Sequence, residues 1–482
     1  MRPSRAFGVG AWRLPQRMNT LDTLMWRCRA DPRLHSPLVC LILLDRTPDW
    51  ECWAATHDWV TRMLPRLRQR AVAPLLPSGL GRWETDPGFD LGRHLWRTRL
   101  PGPGGRRQLL DLVQMVTATP FDEGRPPWDS VLVEDVRWED GAPGAAWILK
   151  VHHCVSDGPT LGFWLTRVLG RTAEPDPDRP QPPPMPPRPP AGLLRPIGLP
   201  GAPLPGPAAL VRPAREVWRA ARRPRRTVME TIRAVRTIGE LMPRRVGEPS
   251  ALLENRGTAR RPAVLSMPLD PMRAAARLAQ CSVNDAFIAA LLGGFRHYHE
   301  RHGAVMDSLS IAMPISLRRA DSPRTGNRFG GIRFTGPMAE PDPRARMVAV
   351  RDSIAAASAA FAPGGLDVLL NALNRLPTPV VTDLVARLGN SYDLQASQVA
   401  GIYRPSYMAG AAVTDAYCFG PVPGCAVMAL LLVHRDKCSI AFTLDSAAVT
   451  DTDSFMRSMD TAFHEVMETA RNAGGTGARE KS

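Results

Sequence analysis

The sequence of 482 residues lacks the long apolar segments of an integral membrane protein. No apolar run approaches the ~18 residues that are needed to span a bilayer. The longest runs, Leu38 to Leu44 and Cys425 to Val433, have the length of β-strands. Arg2 and Arg5 lie near the N-terminus, but no apolar segment that could act as a signal peptide follows them. We therefore expect neither export nor transmembrane insertion, and we expect a cytoplasmic location.

Closely spaced cysteines are also absent. The chain has eight cysteines and no CxxC pair, and the nearest neighbours, Cys418 and Cys425, have no His/Cys cluster beside them. Zinc sites and disulfide scaffolds both need tighter spacing. The sequence therefore predicts reduced thiols and no zinc site.

Acidic residues are in deficit. The chain has 46 Asp and Glu against 61 Lys and Arg, which gives a net charge of +15. Such a charge favours an anionic partner, which could be nucleic acid, an anionic membrane surface or a phosphorylated substrate. The hydrophobic content of 44% is typical of a globular protein, and the length allows two or three domains.

Proline is concentrated in one stretch, where 15 of the 33 residues from Pro175 to Pro207 are proline. Such a run favours an extended, polyproline-like conformation because it cannot form helices or sheets. The segment that follows, Arg212 to Arg245, contains eleven Arg and three Glu, a net charge of +8. We interpret residues 171–261 as a linker, proline-rich and then basic and helical. It would join an N-terminal lobe, residues 1–170, to a C-terminal lobe, residues 262–482.

Part of the basic segment has helical periodicity. Val228, Ile232, Val235 and Ile238 recur three or four residues apart and share one helical face. Two interpretations remain open: this face packs on the protein while the arginines are solvated, or the helix lies on an anionic membrane or lipid droplet. We do not expect nucleic acid as a partner, because no helix-turn-helix, zinc-finger or stacking-aromatic pattern accompanies the charge.

Strand and helix patterns mix in both lobes without strict alternation, which favours an α+β architecture. Ser282 is suited to cap a helix, and Asp285 falls in the first turn of that helix. The predicted elements are strands at Pro37 to Leu44 and Ala145 to Val151, helices at Asp49 to Leu67 and Ser282 to His299, and a hairpin of Val427 to Val433 with Cys438 to Thr443.

The segment AAWILKVHHCVSDGPT, residues 145–160, carries the residues best suited to catalysis. An apolar strand runs into His152 and His153, and a short loop leads to Asp157 and to a helix predicted as far as Leu169. Because side chains alternate along a strand, the two imidazoles should point to opposite faces. We therefore do not expect them to share a metal ion.

The pattern predicts one catalytic imidazole and one structural imidazole. The loop with Asp157 can fix the orientation and tautomer of a histidine, and Gly158 leaves room for a substrate. A neutral imidazole can take a proton from a hydroxyl or thiol near pH 7, because its unperturbed pKa is about 6.5. In the alternative interpretation both histidines are satisfied core residues; the full HHxxxDG string favours function.

The string from His152 to Gly158 matches the HHxxxDG motif of the CoA-dependent acyltransferase superfamily, which includes chloramphenicol acetyltransferase, carnitine acyltransferases and peptide-synthetase condensation domains. Most of the chain outside the linker resembles the bacterial wax ester synthase/acyl-CoA:diacylglycerol acyltransferase family. The matching segments, in chain order, are MNTLDTLM (18–25), WETDPGFDLGRH (83–94), PFDEGRPPW (120–128), VND (283–285), PISLR (314–318), GNR (326–328), SYDLQASQVAG (391–401) and Leu444 to Asp451.

The resemblance implies two chloramphenicol-acetyltransferase-like lobes with mixed sheets. It also implies transfer of a long-chain acyl group from acyl-CoA to diacylglycerol or a fatty alcohol, with acyl-CoA as co-substrate and with neither metal nor cofactor. By resemblance His153 is the general base, His152 and Asp157 support its loop, and Gly158, Asn284 and Asp285 belong to the substrate site. Asn284 would stabilise an oxyanion or line a tunnel, although a role at the helix start is the alternative.

Three departures from the family pattern concern the acceptor. Phe121 and Pro127 replace leucines, and residues 391–401 lack the Asn and Pro of the usual SNVPGP. Two other functions stay open: a condensation-type acyltransferase that uses a carrier-bound acyl group, and a non-catalytic lipid-binding protein. A surface-binding segment at 212–245 would suit poorly soluble acceptors and would place the protein at the inner membrane face or on lipid inclusions.

Overall fold

The computed structural model describes residues 15–74, 79–174, 179–182, 233–239, 245–318 and 326–479. The strands are β1 (Pro37–Leu44), β2 (Gln69–Val72), β3 (Arg82–Thr85), β4 (Leu95–Arg99), β5 (Trp128–Arg137), β6 (Pro143–His152), β7 (Arg260–Pro268), β8 (Ser308–Ser316), β9 (Phe329–Pro337), β10 (Leu394–Ile402), β11 (Tyr407–Met408), β12 (Ala411–Phe419), β13 (Val427–His434) and β14 (Lys437–Asp445). The α-helices are α1 (Thr20–Cys28), α2 (Trp50–Met63), α3 (Arg106–Ala118), α4 (Gly158–Val168), α5 (Leu269–Leu278), α6 (Val283–Arg301), α7 (Pro343–Ala360), α8 (Pro363–Leu373), α9 (Thr378–Gly389) and α10 (Thr452–Arg479).

The first six-stranded sheet has the order β11-β12-β1-β6-β5-β4. Its pairs are antiparallel except for β4 and β5, so the sheet is mixed. Alternate residues of β1 enter different cores: Leu41 packs with α3 on one face, whereas Cys40 and Ile42 face the opposite side. Both faces of this sheet are therefore covered.

The second sheet has the order β7-β14-β13-β10-β8-β9 and is also mixed. β10 lies parallel to both β13 and β8, while the outer pairs are antiparallel. Helices α5, α6 and α10 cover one face; Phe287, Phe295 and Phe463 are completely buried there. The opposite face turns Met428, Leu430 and Leu432 toward the first lobe.

The C-terminal part of the chain contributes strands to the first sheet. β12, which lies between α9 and α10 in the chain, pairs antiparallel with β1, and Cys418 lies opposite Cys40. The first sheet therefore contains residues from both sides of the linker. The hydrophobic core between the sheets is continuous, because Leu38 and Leu161 share it with Leu430.

The structure confirms most of the predicted elements. β1 has the predicted bounds, β6 and the β13–β14 hairpin lie where expected, and Ser282 caps α6. The helix predicted to reach Leu67 was too long: α2 ends at Met63. Pro65 lacks an amide hydrogen and disfavours helical geometry at Leu64, so the chain continues as a 3₁₀ turn.

In the basic segment, the structure describes residues 233–239, which are helical, and Arg245. The predicted apolar face is wrong in part: Val235 is 56% exposed, whereas Ala234 and Ile238 are buried. Ala234 and Ile238 are four residues apart and pack against apolar side chains of α1, α8 and α9. Val228, Ile232 and nearly all of the proline-rich run lie outside the described residues.

Among the described helices, none is both long and apolar enough to cross a membrane by itself. Two pairs reach that threshold only when their lengths are combined. These are α5 with α6, bent by 97°, and α7 with α8, bent by 67°.

Candidate active site

The HHxxxDG motif forms the turn between β6 and α4. The strand ends at His152, and the His153 amide donates to the Ser36 carbonyl at 2.9 Å. Asp157 then caps α4, because its Oδ1 accepts from the Thr160 amide at 3.0 Å. The motif is therefore held at both ends by hydrogen bonds from backbone amides.

His153 lines a cavity of about 170 Å³ between the two lobes. Its ring lies 5.5 Å from that of Phe329, measured between centroids. Burial lowers the pKa of its imidazole, although its own carbonyl, the Asp157 carboxylate and the Asn327 side chain act in the opposite sense. At neutral pH the ring is therefore uncharged and can accept a proton.

His152 is completely buried on the other side of β6. Its ring makes edge contacts with Trp26 at 5.1 Å and Phe121 at 5.5 Å. Nδ1 accepts from the Cys154 amide at 3.1 Å, whereas Nε2 has no hydrogen-bond partner in the described part of the chain. Burial lowers the pKa of this imidazole well below its usual value. The expectation that the two histidines point in opposite directions is confirmed.

Asp157 forms a buried ion pair with Arg318 of the second lobe. Its Oδ2 accepts from Arg318 Nη2 at 2.7 Å and Nε at 3.1 Å, and the Arg328 amide approaches at 3.4 Å. Burial raises the pKa of Asp157, but the hydrogen bonds from Thr160 and Arg318 outweigh it, and the net shift is downward. The carboxylate thus stays charged and joins the lobes beside His153.

Asn327 links the HHxxxDG turn to α1. Its Nδ2 donates to the His153 backbone carbonyl at 2.7 Å and to Asp22 Oδ1 at 2.6 Å. The backbone carbonyl of Asn327 accepts from Asn19 Nδ2 at 2.9 Å. Burial raises the pKa of Asp22 to about 7, against the lowering effect of the Asn327 hydrogen bonds. One amide side chain therefore connects three distant segments at the site.

The cavity wall comes from both sheets and from α4. Most of it is apolar, with Ser316, Gln395 and Arg328 among its few polar members. β10, which carries the departure from the family's SNVPGP segment, contributes several wall residues. The sequence differences at 391–401 therefore lie in the cavity wall. Wall residues include Leu38, Cys40, His153, Leu161, Leu165, Phe329, Val399, Phe419 and Leu430.

The predicted substrate residues divide into two groups. Gly158 lines the cavity, and a Cβ atom at that position would lie 3.0 Å from Val399 Cγ1, so the close approach of α4 to β10 requires a small residue. Asn284 and Asp285 are not among the described wall residues. Asp285 Oδ2 instead accepts from the Ser282 amide and hydroxyl, both at 2.7 Å, and Asn284 contacts Met313 Sδ at 3.7 Å. The geometry thus favours a role at the helix start for Asp285, whereas Asn284 makes no capping contact among the described residues.

Arg318, Asn327 and Asp22 were missed as site residues in the sequence. They fall in segments that were matched only by resemblance. Asp22 and Asn327, which are in contact, are 305 positions apart in the chain. A buried carboxylate in HHxxxDG needs a counterion, which was the one available indication of Arg318. Nothing in the local pattern around Asn327 indicated its hydrogen bonds to Asp22, His153 and Asn19.

Two mixed sheets that meet around a cavity containing HHxxxDG define the two-lobed fold of chloramphenicol-acetyltransferase-like enzymes. This chain belongs to the wax ester synthase/diacylglycerol acyltransferase family: the family's catalytic domain matches residues 18–287, and its C-terminal domain matches residues 325–467. The family prediction is confirmed, and the protein is an acyltransferase.

Individual relatives agree with this assignment. The chain is 33% identical, over 95% of its length and 93% of the relative's, to a putative diacylglycerol O-acyltransferase of Mycobacterium tuberculosis strain H37Rv. The wax ester synthase/diacylglycerol acyltransferase of Marinobacter aquaeolei VT8 superposes with a TM-score of 0.64 at 19% identity, covering 94% of this chain and 99% of that one. A condensation domain of the calcium-dependent antibiotic synthetase gives 0.57 at 16% identity, covering 94% and 96%. The two structural similarities concern the fold.

Proposed function

We propose that the protein transfers a long-chain acyl group from acyl-CoA to diacylglycerol, with fatty alcohols as further acceptors, and that His153 is the general base. The observation that carries this proposal is the position of an uncharged His153 imidazole in the wall of a largely apolar cavity between the lobes. The names of the curated relatives support diacylglycerol as the acceptor.

The proposed reaction proceeds in two steps. His153 removes the proton of the acceptor hydroxyl as its oxygen attacks the thioester carbonyl. The C–S bond then breaks, and the imidazolium returns the proton to the departing CoA thiolate. Protons balance without a cofactor or a covalent acyl-enzyme.

The lowered pKa of His153 suits this role, because the imidazole must be uncharged at the start of each turnover. Asp157 and Arg318 neutralise each other and hold the turn, so neither needs to exchange a proton. His152, which is packed between aromatic rings, supports the turn from behind.

Replacement of His153 tests the proposal. We expect His153→Gln to lower turnover of hexadecanoyl-CoA with a diacylglycerol by about 10²–10⁴-fold, the usual contribution of general-base catalysis. The melting temperature should change little. His464→Gln, at a half-exposed histidine on α10, is the matched control and should keep full activity. For the wild type, kcat/KM should be constant near pH 7 and fall on acidification as His153 becomes protonated.

The same assay separates the alternatives. Ester formation from acyl-CoA without a carrier protein contradicts a condensation-type donor. Two results would contradict the proposed chemistry. One is binding of lipid with no ester formed from any acceptor, and the other is a His153→Gln enzyme that retains wild-type rates. Offering a diacylglycerol and a fatty alcohol together, with the esters separated afterwards, determines the acceptor preference.

We also propose that the protein meets its acceptors at an anionic lipid surface through residues 212–245. The net charge of +8 in this segment supports the proposal. So does the described portion, where Arg233 and Val235 are exposed while Ala234 and Ile238 anchor the helix to the protein. Basic and apolar groups would thus face the lipid together.

A further inference from the structure

A second cavity, of about 40 Å³, lies in the first lobe beside the catalytic cavity. Its wall comes from α2, β5, β6 and α4. Leu161 and Leu165 of α4 belong to the walls of both cavities. They are four residues apart and so share one face of the helix. Two leucine side chains thus lie between the cavity of His153 and the space behind it.

The second cavity offers little to a polar ligand. His57 is satisfied: Nδ1 contacts the Trp53 carbonyl at 2.9 Å and Nε2 contacts Ser130 Oγ at 2.8 Å. Trp128 Nε1 donates to the Leu67 carbonyl at 2.7 Å. In the described structure, the indole N–H of Trp164 is left without a partner, and one donor cannot hold a water that needs two to four partners. The space is therefore suited to hydrocarbon.

The catalytic cavity is small for the proposed substrate. An engineered protein cavity of ~150 Å³ holds one benzene molecule, that is, six carbons. At about 170 Å³, the catalytic cavity is similar in volume, whereas a long-chain acyl group has many more carbons. A long chain therefore needs further apolar space, and the second cavity adds about 40 Å³ behind Leu161 and Leu165. On the same scale this is room for about one or two carbons, the end of a chain.

We propose that the second cavity receives the methyl end of a substrate's hydrocarbon chain, and that Leu161 and Leu165 move aside to join the two cavities into one tunnel. This inference rests on the proposed function for the identity of the ligand, a saturated alkyl chain. Either the acyl donor or the acceptor could supply that chain, and the kinetic experiment below distinguishes them.

Tryptophan fluorescence tests the site without turnover. Trp128, Trp147 and Trp164 line the second cavity, whereas the described wall of the catalytic cavity contains no tryptophan. A bromine atom quenches indole fluorescence at short range. We expect ω-bromohexadecanoic acid to quench more strongly than ω-bromohexanoic acid at equal occupancy, with the unbrominated acids as controls. Equal quenching by the two brominated acids would overturn the proposal.

A substitution from the α2 side tests the same space. Val60 lines the second cavity and is not part of the described catalytic wall. Val60→Phe should abolish the additional quenching by the long acid, and Val60→Leu, which adds less volume, should reduce it. Val305→Phe, at a residue that is 88% exposed, is the control. Melting temperatures show whether each variant is folded, and quenching unchanged in both Val60 variants would overturn the proposal.

Kinetics identify the source of the chain. If the chain belongs to the donor, Val60→Phe should lower kcat/KM at least tenfold for hexadecanoyl-CoA but less than twofold for hexanoyl-CoA with the same acceptor. If it belongs to the acceptor, the same contrast should appear between hexadecanol and hexanol with one donor. An equal effect on all lengths of both substrates would overturn the proposal. Length-dependent quenching in a protein that forms no ester would instead contradict the proposed function and leave the chain site standing.

Discussion

The two histidines of HHxxxDG differ in what surrounds them. His153 faces the cavity, whereas His152 is enclosed by Trp26 and Phe121. Alternation along β6 produces this division, because adjacent side chains on a strand point to opposite faces. Asn327 and Arg318 then hold the turn from the second lobe. The position of the imidazole thus depends on residues that lie far from it in the chain.

Asp22 gives this arrangement a measurable dependence on pH. Its pKa of about 7 in the folded protein exceeds the ordinary value of about 3.9 for an unfolded chain. Between these values the folded state binds more protons, so Asp22 lowers the stability as pH rises toward 7. Asp22→Asn removes this titration. We expect the melting temperature of the variant, relative to wild type, to increase from pH 5 to pH 8.

The comparison with wild type isolates Asp22 from other groups. Buried histidines with lowered pKa values act in the opposite direction, losing stability as pH falls, but they are common to both proteins. Asp31→Asn is the matched control, because the Asp31 pKa is lowered by Arg33, and its contribution is constant above pH 5. A constant difference between Asp22→Asn and wild type across this range would contradict the assignment.

The sequence predicted which histidine faces the cavity but not the residues that hold it there. HHxxxDG is a local string, and strand alternation was enough to separate His152 from His153. Asp22 and Asn327 meet only after the lobes assemble. Their contact depends on tertiary packing that no local pattern encodes. The expected substrate role of Asn284 and Asp285 came from resemblance, and in the structure these residues belong to a helix terminus.

The start of α6 shows a capping box. Ser282 Oγ accepts from the Asp285 amide at 3.2 Å, and the Asp285 carboxylate accepts from the Ser282 amide. We expect Asp285→Ala to lower the free energy of unfolding by about 1 kcal/mol, as loss of a cap usually does. The value of kcat/KM should be unchanged. Urea denaturation and the ester assay measure the two effects.

Ser282→Ala is the companion variant, since it breaks the same box from the other side. Both substitutions should destabilise the protein by similar amounts. An Asp285→Ala enzyme with normal stability and a raised KM would restore the predicted substrate role.

Elements with strong local patterns were predictable, whereas their pairing was not. The continuous apolar run of β1 gave its bounds, and Ser282 gave the start of α6. The end of α2 was missed because the helical periodicity continued beyond Pro65. The pairing of β1 with β12 places Cys40 opposite Cys418, 378 positions away in the chain. Pairing over such a distance produces no periodic pattern in the sequence.

The distribution of charge over the whole chain leads to a prediction about lipid binding. Replacing five arginines of the basic segment by Gln should weaken binding to anionic vesicles at least 10²-fold, since each basic residue near such a surface contributes about 1 kcal/mol. The control replaces five exposed arginines elsewhere and changes the net charge equally. The segment set is Arg219, Arg222, Arg223, Arg225 and Arg226; the control set is Arg46, Arg97, Arg99, Arg107 and Arg387.

Flotation with phosphatidylglycerol-containing vesicles measures the binding, and phosphatidylcholine vesicles show the contribution of charge. Equal losses in the two variants would mean that net charge, and not residues 212–245, attracts the protein to lipid. High salt should weaken wild-type binding because it screens these charges.

The cavity beside His153 is walled by two different sheets. Cys40 and Phe419 of one sheet form one side, and Met428 and Leu430 of the other sheet form the opposite side. Its width thus depends on how the two sheets are placed relative to each other. The Asp157–Arg318 ion pair and the Asp22–Asn327 hydrogen bond hold the two lobes together. Weakening either contact would widen the cavity while the His153 imidazole remained in place. Such an enzyme would lose its selectivity among lipids on warming before it lost its capacity to make esters.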